Sequence, residues 1–190
     1  MSQINVNTVN EYASANGVTV DGVLIKDGGI ASTFITGLTG GLEEADVWWM
    51  TADITTNADP ITANLSRANG TLNNYLGTGM TVSSGIWTFP STGYYEVSFQ
   101  TMSLHQTNSH VMNIYIYGSD DNFSTQDVVV EAQNRGNSGE WESWFITTVV
   151  KISDVTSDKV KFRMQRNSNG TFYGNSSGRT QFTFKKLGEL

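Results

Sequence analysis

The chain has 190 residues, long enough for one self-supporting core, and it contains no Cys, which excludes disulfides, iron–sulfur clusters and thiolate metal sites. A net charge of −7 lacks the basic footprint of a nucleic-acid binder, and no apolar run approaches the roughly 20 residues of a membrane span, so neither nucleic acid nor membrane insertion is expected. Charged residues make up only 15%, with Asn, Ser, Thr and Gly in their place; long exposed helices favour Glu, Lys and Arg, so this surface predicts an all-β protein.

The opening "MSQINVNTVNEY" carries neither a basic stretch nor an apolar run, and a chain without a secretory leader, made in a cytoplasm, is expected. Val6, Val9 and Ala13 stand at helical spacing before Asn16-Gly17, which predicts a short helix. "VTVDGVLI" follows as a hairpin, with Asp21-Gly22 as its turn and Val18 and Val20 facing Val23 and Ile25. A lone two-stranded hairpin is marginal in water, so Val18, Val20, Val23 and Ile25 are expected to dock on another surface. Gly37, Gly40 and Gly41 mark a joint. The expected division is a docking or oligomerisation segment over 1–44 and a head domain over 45–190.

Beyond the joint the strand signals come regularly. "DVWWMTADI" and "ITANLSR" lead to "GIWTFPSTGYYEVSF", two strands around a turn built of Pro90, Ser91, Thr92 and Gly93. After that turn Tyr95, Val97 and Phe99 alternate with Glu96, Ser98 and Gln100. "HVMNIYIYG" aligns Met112, Ile114 and Ile116 on one face; "DVVVEA" and "WESWFITTVVKI" follow. In "DKVKFRMQR", Val160, Phe162 and Met164 alternate with charge, and "RTQFTFKKL" turns Phe182 and Phe184 inward. Many short strands joined by Gly, Asn and Ser turns predict a sandwich, jelly roll or barrel.

Two strands are apolar on both faces. Trp48 and Trp49 are neighbours, and Trp144, Ile146 and Val150 stand opposite Phe145 and Val149. Tyr94 beside Tyr95 poses the same problem. A sandwich covers one face of a strand, so the other needs a loop folded over it or a second subunit. An aromatic-rich subunit interface using Trp48, Trp49, Tyr94, Tyr95 and Phe145 is the reading adopted.

Catalytic patterns are weak throughout. "GLTGGL" lacks the spacing of a phosphate or dinucleotide loop. His105 and His110 could share a metal across a hairpin, but without Cys or a carboxylate cluster they read as exposed loop residues. Asp120, Asp121, Asn122 and Asp127 do not follow the calcium-loop spacing of an EF-hand and read as a solvated acidic turn. Glu140 and Glu142 share one face of a strand and do not flank a sugar. The expectation is therefore a binding or structural protein, not an enzyme, with no cofactor and no metal. Trp141, Phe172 and Tyr173 are candidates for stacking on a ligand such as a glycan, or for ordinary packing.

The run "GIWTFPSTGYYEVSF", with Gly85, Phe89, Pro90, Gly93, Tyr94 and Tyr95, resembles the early strands of the globular heads of complement-type collagenous proteins. "VVKISDVTSDKVKFRM" and "FTFKKL" resemble the late hairpin and closing strand of the same superfamily, which includes tumour necrosis factor. The resemblance implies a jelly-roll sandwich assembled as a homotrimer, without the collagenous stalk. "VNEYASANGVTVDGVLIKDGGI" resembles a segment near the start of virion structural proteins of marine tailed bacteriophages. Together they imply a virion surface protein, assembled in the host cytoplasm and anchored to other virion proteins of capsid or tail. Its role would be capsid decoration (cement) or a short fibre; the alternative is a receptor-binding tail-fibre tip that recognises a host surface glycan or protein.

Overall fold

The computed structural model describes residues 42–72, 74–175 and 178–190, together with the backbone of three strands nearer the N-terminus. The chain divides into two compact units, 1–41 and 42–190. In the first, β1 (Val18–Val20) pairs antiparallel with β2 (Val23–Lys26), and β2 with β3 (Gly29–Ile30). Val18 stands opposite Ile25 and Val20 opposite Val23, the pairing expected from the valine spacing; the third strand is an addition. The expected helix around Val6 to Ala13, the Asp21-Gly22 turn and the glycine joint lie outside the described residues.

In the second unit every regular element described is a strand. One sheet carries β10 (Asp127–Gly136), β9 (His110–Ser119), β12 (Lys159–Arg166), β7 (Ile86–Thr88) and β6 (Thr81–Ser83), in that order. The other carries β11 (Trp141–Ile152), β8 (Gly93–His105), β14 (Gln181–Gly188), β4 (Ala45–Met50) and β5 (Leu65–Arg67), with β13 (Gly170–Tyr173) also on β8. All pairings are antiparallel, so the head is a two-sheet sandwich.

The "GIWTFPSTGYYEVSF" run is the place where the chain changes sheets. Trp87 on β7 belongs to one sheet and Tyr95 on β8 to the other, so the turn between them spans the sandwich and does not close a hairpin. Gly93 opens β8 at φ 138°, and a Cβ there would lie 2.5 Å from the carbonyl oxygen of Gly188. Only glycine fits that backbone and that approach.

The core forms where the alternating strands face each other. Tyr95, Val97 and Phe99 of β8 meet Phe162 of β12, Phe182 and Phe184 of β14, and Trp87. Phe99 stacks on Phe182 at 5.0 Å, and Trp87 meets Phe162 edge-on at 5.8 Å. Full burial of each such ring contributes roughly 1.5–3 kcal/mol.

Four sequence expectations are corrected. Tyr95 is buried, packs on Phe89 at 4.7 Å and hydrogen-bonds Ser91, so it belongs to the protomer's own core and not to an interface. Phe172 is likewise buried: β14 pairs β8 only as far as Gln100, and β13 supplies the ladder for Met102 to His105. Its "GTFY" segment is therefore a strand of the sheet. Trp48 points inward, its ring 5.0 Å from that of Trp87 and nearly perpendicular to it, which leaves Trp49 on the outer side. His105 and His110, expected in exposed loops, are both buried. They end β8 and begin β9, and both strands direct these positions into the sandwich.

Candidate functional face

The outer side of the six-stranded sheet gathers the exposed apolar side chains. β11 is its edge strand, and its inward positions Trp144 and Ile146 are in the core. The alternate positions therefore face out: Trp141 is 54% exposed, Phe145 64% and Val149 56%. Register then fixes their neighbours. Trp141 lies beside Leu104, Phe145 beside Gln100 and Val149 beside Glu96, while Tyr94, 41% exposed, stands opposite Lys151. Gln100 continues to Gln181 and that residue to Trp49, so Phe145 and Trp49 share one row across the sheet.

The polar members of this face bond among themselves. The Ser98 and Thr147 hydroxyls are 3.0 Å apart, and Lys185 pairs with Glu96 at 2.9 Å. Gln100 donates to the carbonyl of Gly178 at 3.2 Å. What remains without a polar role is the row of aromatic and aliphatic groups on β11.

Sequence patterning missed two members, Met102 and Leu104. Along the second half of β8 the alternation inverts: Thr101, Ser103 and His105 are buried, while Met102 and Leu104 lie partly exposed. The inward polar groups have local partners. Thr101 bonds Thr180 at 2.7 Å, and the Trp144 indole donates to Ser103 at 2.8 Å. One end of the sandwich is thus polar inside and apolar outside, a reversal that points to a surface covered by something other than water.

Of the expected ligand-contacting residues, Trp141 and Tyr173 do come together. They flank β8 from either side and stack at 4.9 Å with 29° between ring planes. The Arg179 guanidinium lies 5.5 Å from the Tyr173 ring. This aromatic pair belongs to the same face as Phe145. The two groups that the sequence reading kept apart, interface aromatics and ligand aromatics, therefore adjoin.

Beside this face, the edges of the two sheets bound a groove of about 650 Å³, lined among others by Asp127, Val129, Val149, Lys151 and Lys159. Val129 sits at a β-bulge on edge strand β10, which interrupts the ladder there and discourages further strand pairing. Lys159 is buried, its ammonium donates to the Val155 carbonyl at 2.5 Å, and burial holds its pKa below the ordinary lysine value.

Two of the acidic candidates, Asp121 and Glu140, are occupied by their own loops. The Asp121 carboxylate accepts from the Thr125 amide at 2.9 Å and from the Ser119 hydroxyl at 2.7 Å, which lowers its pKa. Glu140 caps the Asn137 amide at 2.7 Å, with the same effect. Among the described residues, no three His, Cys, Asp or Glu side chains converge as a metal site. Burial lowers the pKa of His110, with His105 and Arg166 adding to the effect.

No family model matches the chain, and no curated protein matches it. Solved structures do resemble it. A TNF, Eiger, from S. frugiperda superposes with a TM-score of 0.58 at 11% identity, over 77% of this chain and 93% of that one. Murine APRIL gives 0.57 at 13% identity, over 76% of this chain and 98% of that one. At these identities the likeness is one of fold. The head is a jelly roll of the tumour-necrosis-factor type.

Proposed function

We infer that this chain is a phage virion surface structural protein, whose jelly-roll head forms a homotrimer and whose N-terminal unit anchors it to other virion proteins. The observation that carries the assembly is the apolar row Trp141, Phe145 and Val149 on an edge strand, with Trp49 and Tyr94 across the same sheet. A row of large apolar groups on one face favours burial against another copy over exposure to water. The phage origin rests on the N-terminal resemblance, and the three short strands there form a unit too small for a core of its own. The physical role is cohesion, as a capsid decoration protein or short fibre. Sedimentation of the full chain should give a trimer, and a cryo-EM reconstruction of the particle should place three heads on one axis. A monomer at micromolar concentration refutes the assembly.

A second reading has a specific observation in its favour. The exposed Trp141–Tyr173 stack offers a rigid amphipathic platform of the kind that packs on sugar rings. A receptor-binding fibre tip would use it for a host glycan. Both readings describe binding without catalysis. Glycan-array binding that is lost in Trp141→Ala supports this reading, and binding to no glycan removes it.

A further inference from the structure

His105 and His110 meet inside one end of the sandwich, with ring centroids 5.2 Å apart and planes at 79°. Both are buried, and none of their four ring nitrogens has a hydrogen-bond partner. The neighbouring polar groups Thr101, Ser103 and Thr180 and the Trp144 indole are all paired. A neutral imidazole carries one donor and one acceptor, and leaving both dry is costly. The pair therefore stands out from an otherwise satisfied surrounding.

The backbone makes room for it twice. Gly136 is the ladder partner of His110, and a Cβ there would lie 2.6 Å from Cδ2 of His105. Gly170 is the ladder partner of His105, and a Cβ there would lie 2.6 Å from Cε1 of His110. Each glycine thus pairs with one histidine and admits the ring of the other. The same point at Gly170 lies 3.2 Å from Nδ1 of His110 and 3.0 Å from Sδ of Met112, a buried thioether on the same face of β9.

We propose that His105, His110 and Met112 form a binding site for a soft monovalent metal ion, Cu(I), within the head. Imidazole nitrogens bind metals at about 2.0–2.1 Å, which puts each ring centroid roughly 3.2 Å from the ion. Centroids 5.2 Å apart then subtend roughly 110° at a shared ion, an ordinary angle between ligands. The donor set chooses the metal. Two neutral imidazoles and a thioether favour a soft cation content with few ligands. A divalent ion such as Zn²⁺ wants a fourth donor, and its double charge would lie buried with no carboxylate or thiolate to balance it. The nearby Glu140 carboxylate is taken up by Asn137. Entry is through the loop 106–109, where Gln106, Asn108 and Ser109 are exposed. No bond is made or broken beyond coordination, so the site is structural: an ion here ties the two sheets together where the core is polar.

The test is anaerobic titration of the full chain with Cu(I) against the coloured chelator bicinchoninate, with melting followed in parallel. The chain should withdraw one Cu(I) from the chelator and melt at a higher temperature with it, while Zn²⁺ leaves melting unchanged. His105→Phe and His110→Phe should lose the ion, and the volume-conserving Met112→Leu should lose it at a chelator concentration where the wild type retains it. Should the histidine variants fail to fold, Ag(I) added to the wild-type chain should shift the ¹⁵N resonances of both imidazoles. A chain that takes no Cu(I) from the chelator, takes Zn²⁺ equally well, or shows no imidazole shift with Ag(I) overturns the proposal.

Discussion

Asp46 is buried on β4, where a single carboxylate oxygen accepts from the Met80 amide at 2.7 Å, the Trp48 indole at 2.9 Å and Nε of Arg67 at 3.2 Å. Arg67 in turn lies between two rings, 4.9 Å from the Trp48 centroid and 4.7 Å from that of Tyr75. Removing the cation from such a pair leaves a buried charge uncompensated. Arg67→Met keeps the apolar stem between the rings and deletes the charge. Because Arg67 is partly exposed, the expected cost is about 2 kcal/mol, below that of a fully buried pair. It should be read as a lower urea midpoint at unchanged m-value, and an unchanged midpoint would mean that solvent already compensates Asp46. Asp121 supplies a pH prediction of known sign. The Thr125 amide first, then the Ser119 and Thr125 hydroxyls, favour its charged form in the fold. Its folded pKa thus lies below the ordinary 3.8, so the stabilisation is complete above 3.8 and is lost as pH falls through the folded value. An NMR titration should place its midpoint under 3.8, and a midpoint at or above 3.8 would mean that these bonds are not made in solution.

At the scale of elements, the entry to β8 is the most constrained point. Gly93→Ala would have to accept a positive φ and a clash with the Gly188 carbonyl, so it should cost more than about 1 kcal/mol and loosen the pairing of β8 with the end of β14. Amide exchange at Lys186 and Gly188 should then speed up ahead of the rest of β14; uniform protection would show that the turn adapts. Legibility at this scale followed alternation. Where period two held, as in Tyr95–Phe99, Met112–Ile116 and Val160–Met164, the sequence placed the inward face correctly. It failed where another constraint overrode the pattern. The bulge after Val128 breaks the phase of three consecutive valines. β13 carries no strand signal of its own, because its reason for being a strand, the end of β8 that β14 leaves unpaired, lies some 70 residues away. The inversion in "QTMSLH" hid both the apolar exterior at Met102 and Leu104 and the buried histidines. Local pattern cannot tell a polar core from a polar surface. Of the candidate face, Phe145, Trp49 and Tyr94 were legible from strands apolar on both sides, whereas the contiguity of Trp141 with Tyr173 depends on register.

For the whole molecule, the two binding readings make opposite demands on one sheet face. If it is a subunit interface, Phe145→Ala should weaken the trimer by on the order of 2 kcal/mol per site, seen as a rise in the sedimentation dissociation constant while the fold by circular dichroism is kept. Tyr95→Phe, which removes a hydroxyl bonded inside the protomer, should lower stability by about 1 kcal/mol and leave that constant unchanged. Should Phe145→Ala also leave it unchanged, the face serves something other than self-association. The division of labour along the chain can be tested separately. Among the described residues the buried core cluster runs from Met50 to Phe184, and its aromatic rings pack on one another within the head. Deleting 1–41 should therefore leave a cooperatively melting, trimeric head. The deleted part includes β1 to β3, nine residues of strand, which on the proposed anchoring role would gain stability by docking on another surface. If the proposed virion role holds, truncated heads should accordingly be missing from purified virions when supplied alongside the full chain. Packaging at the full-length level would move the anchor into the head, and the apolar row on β11 would become the first place to look for it.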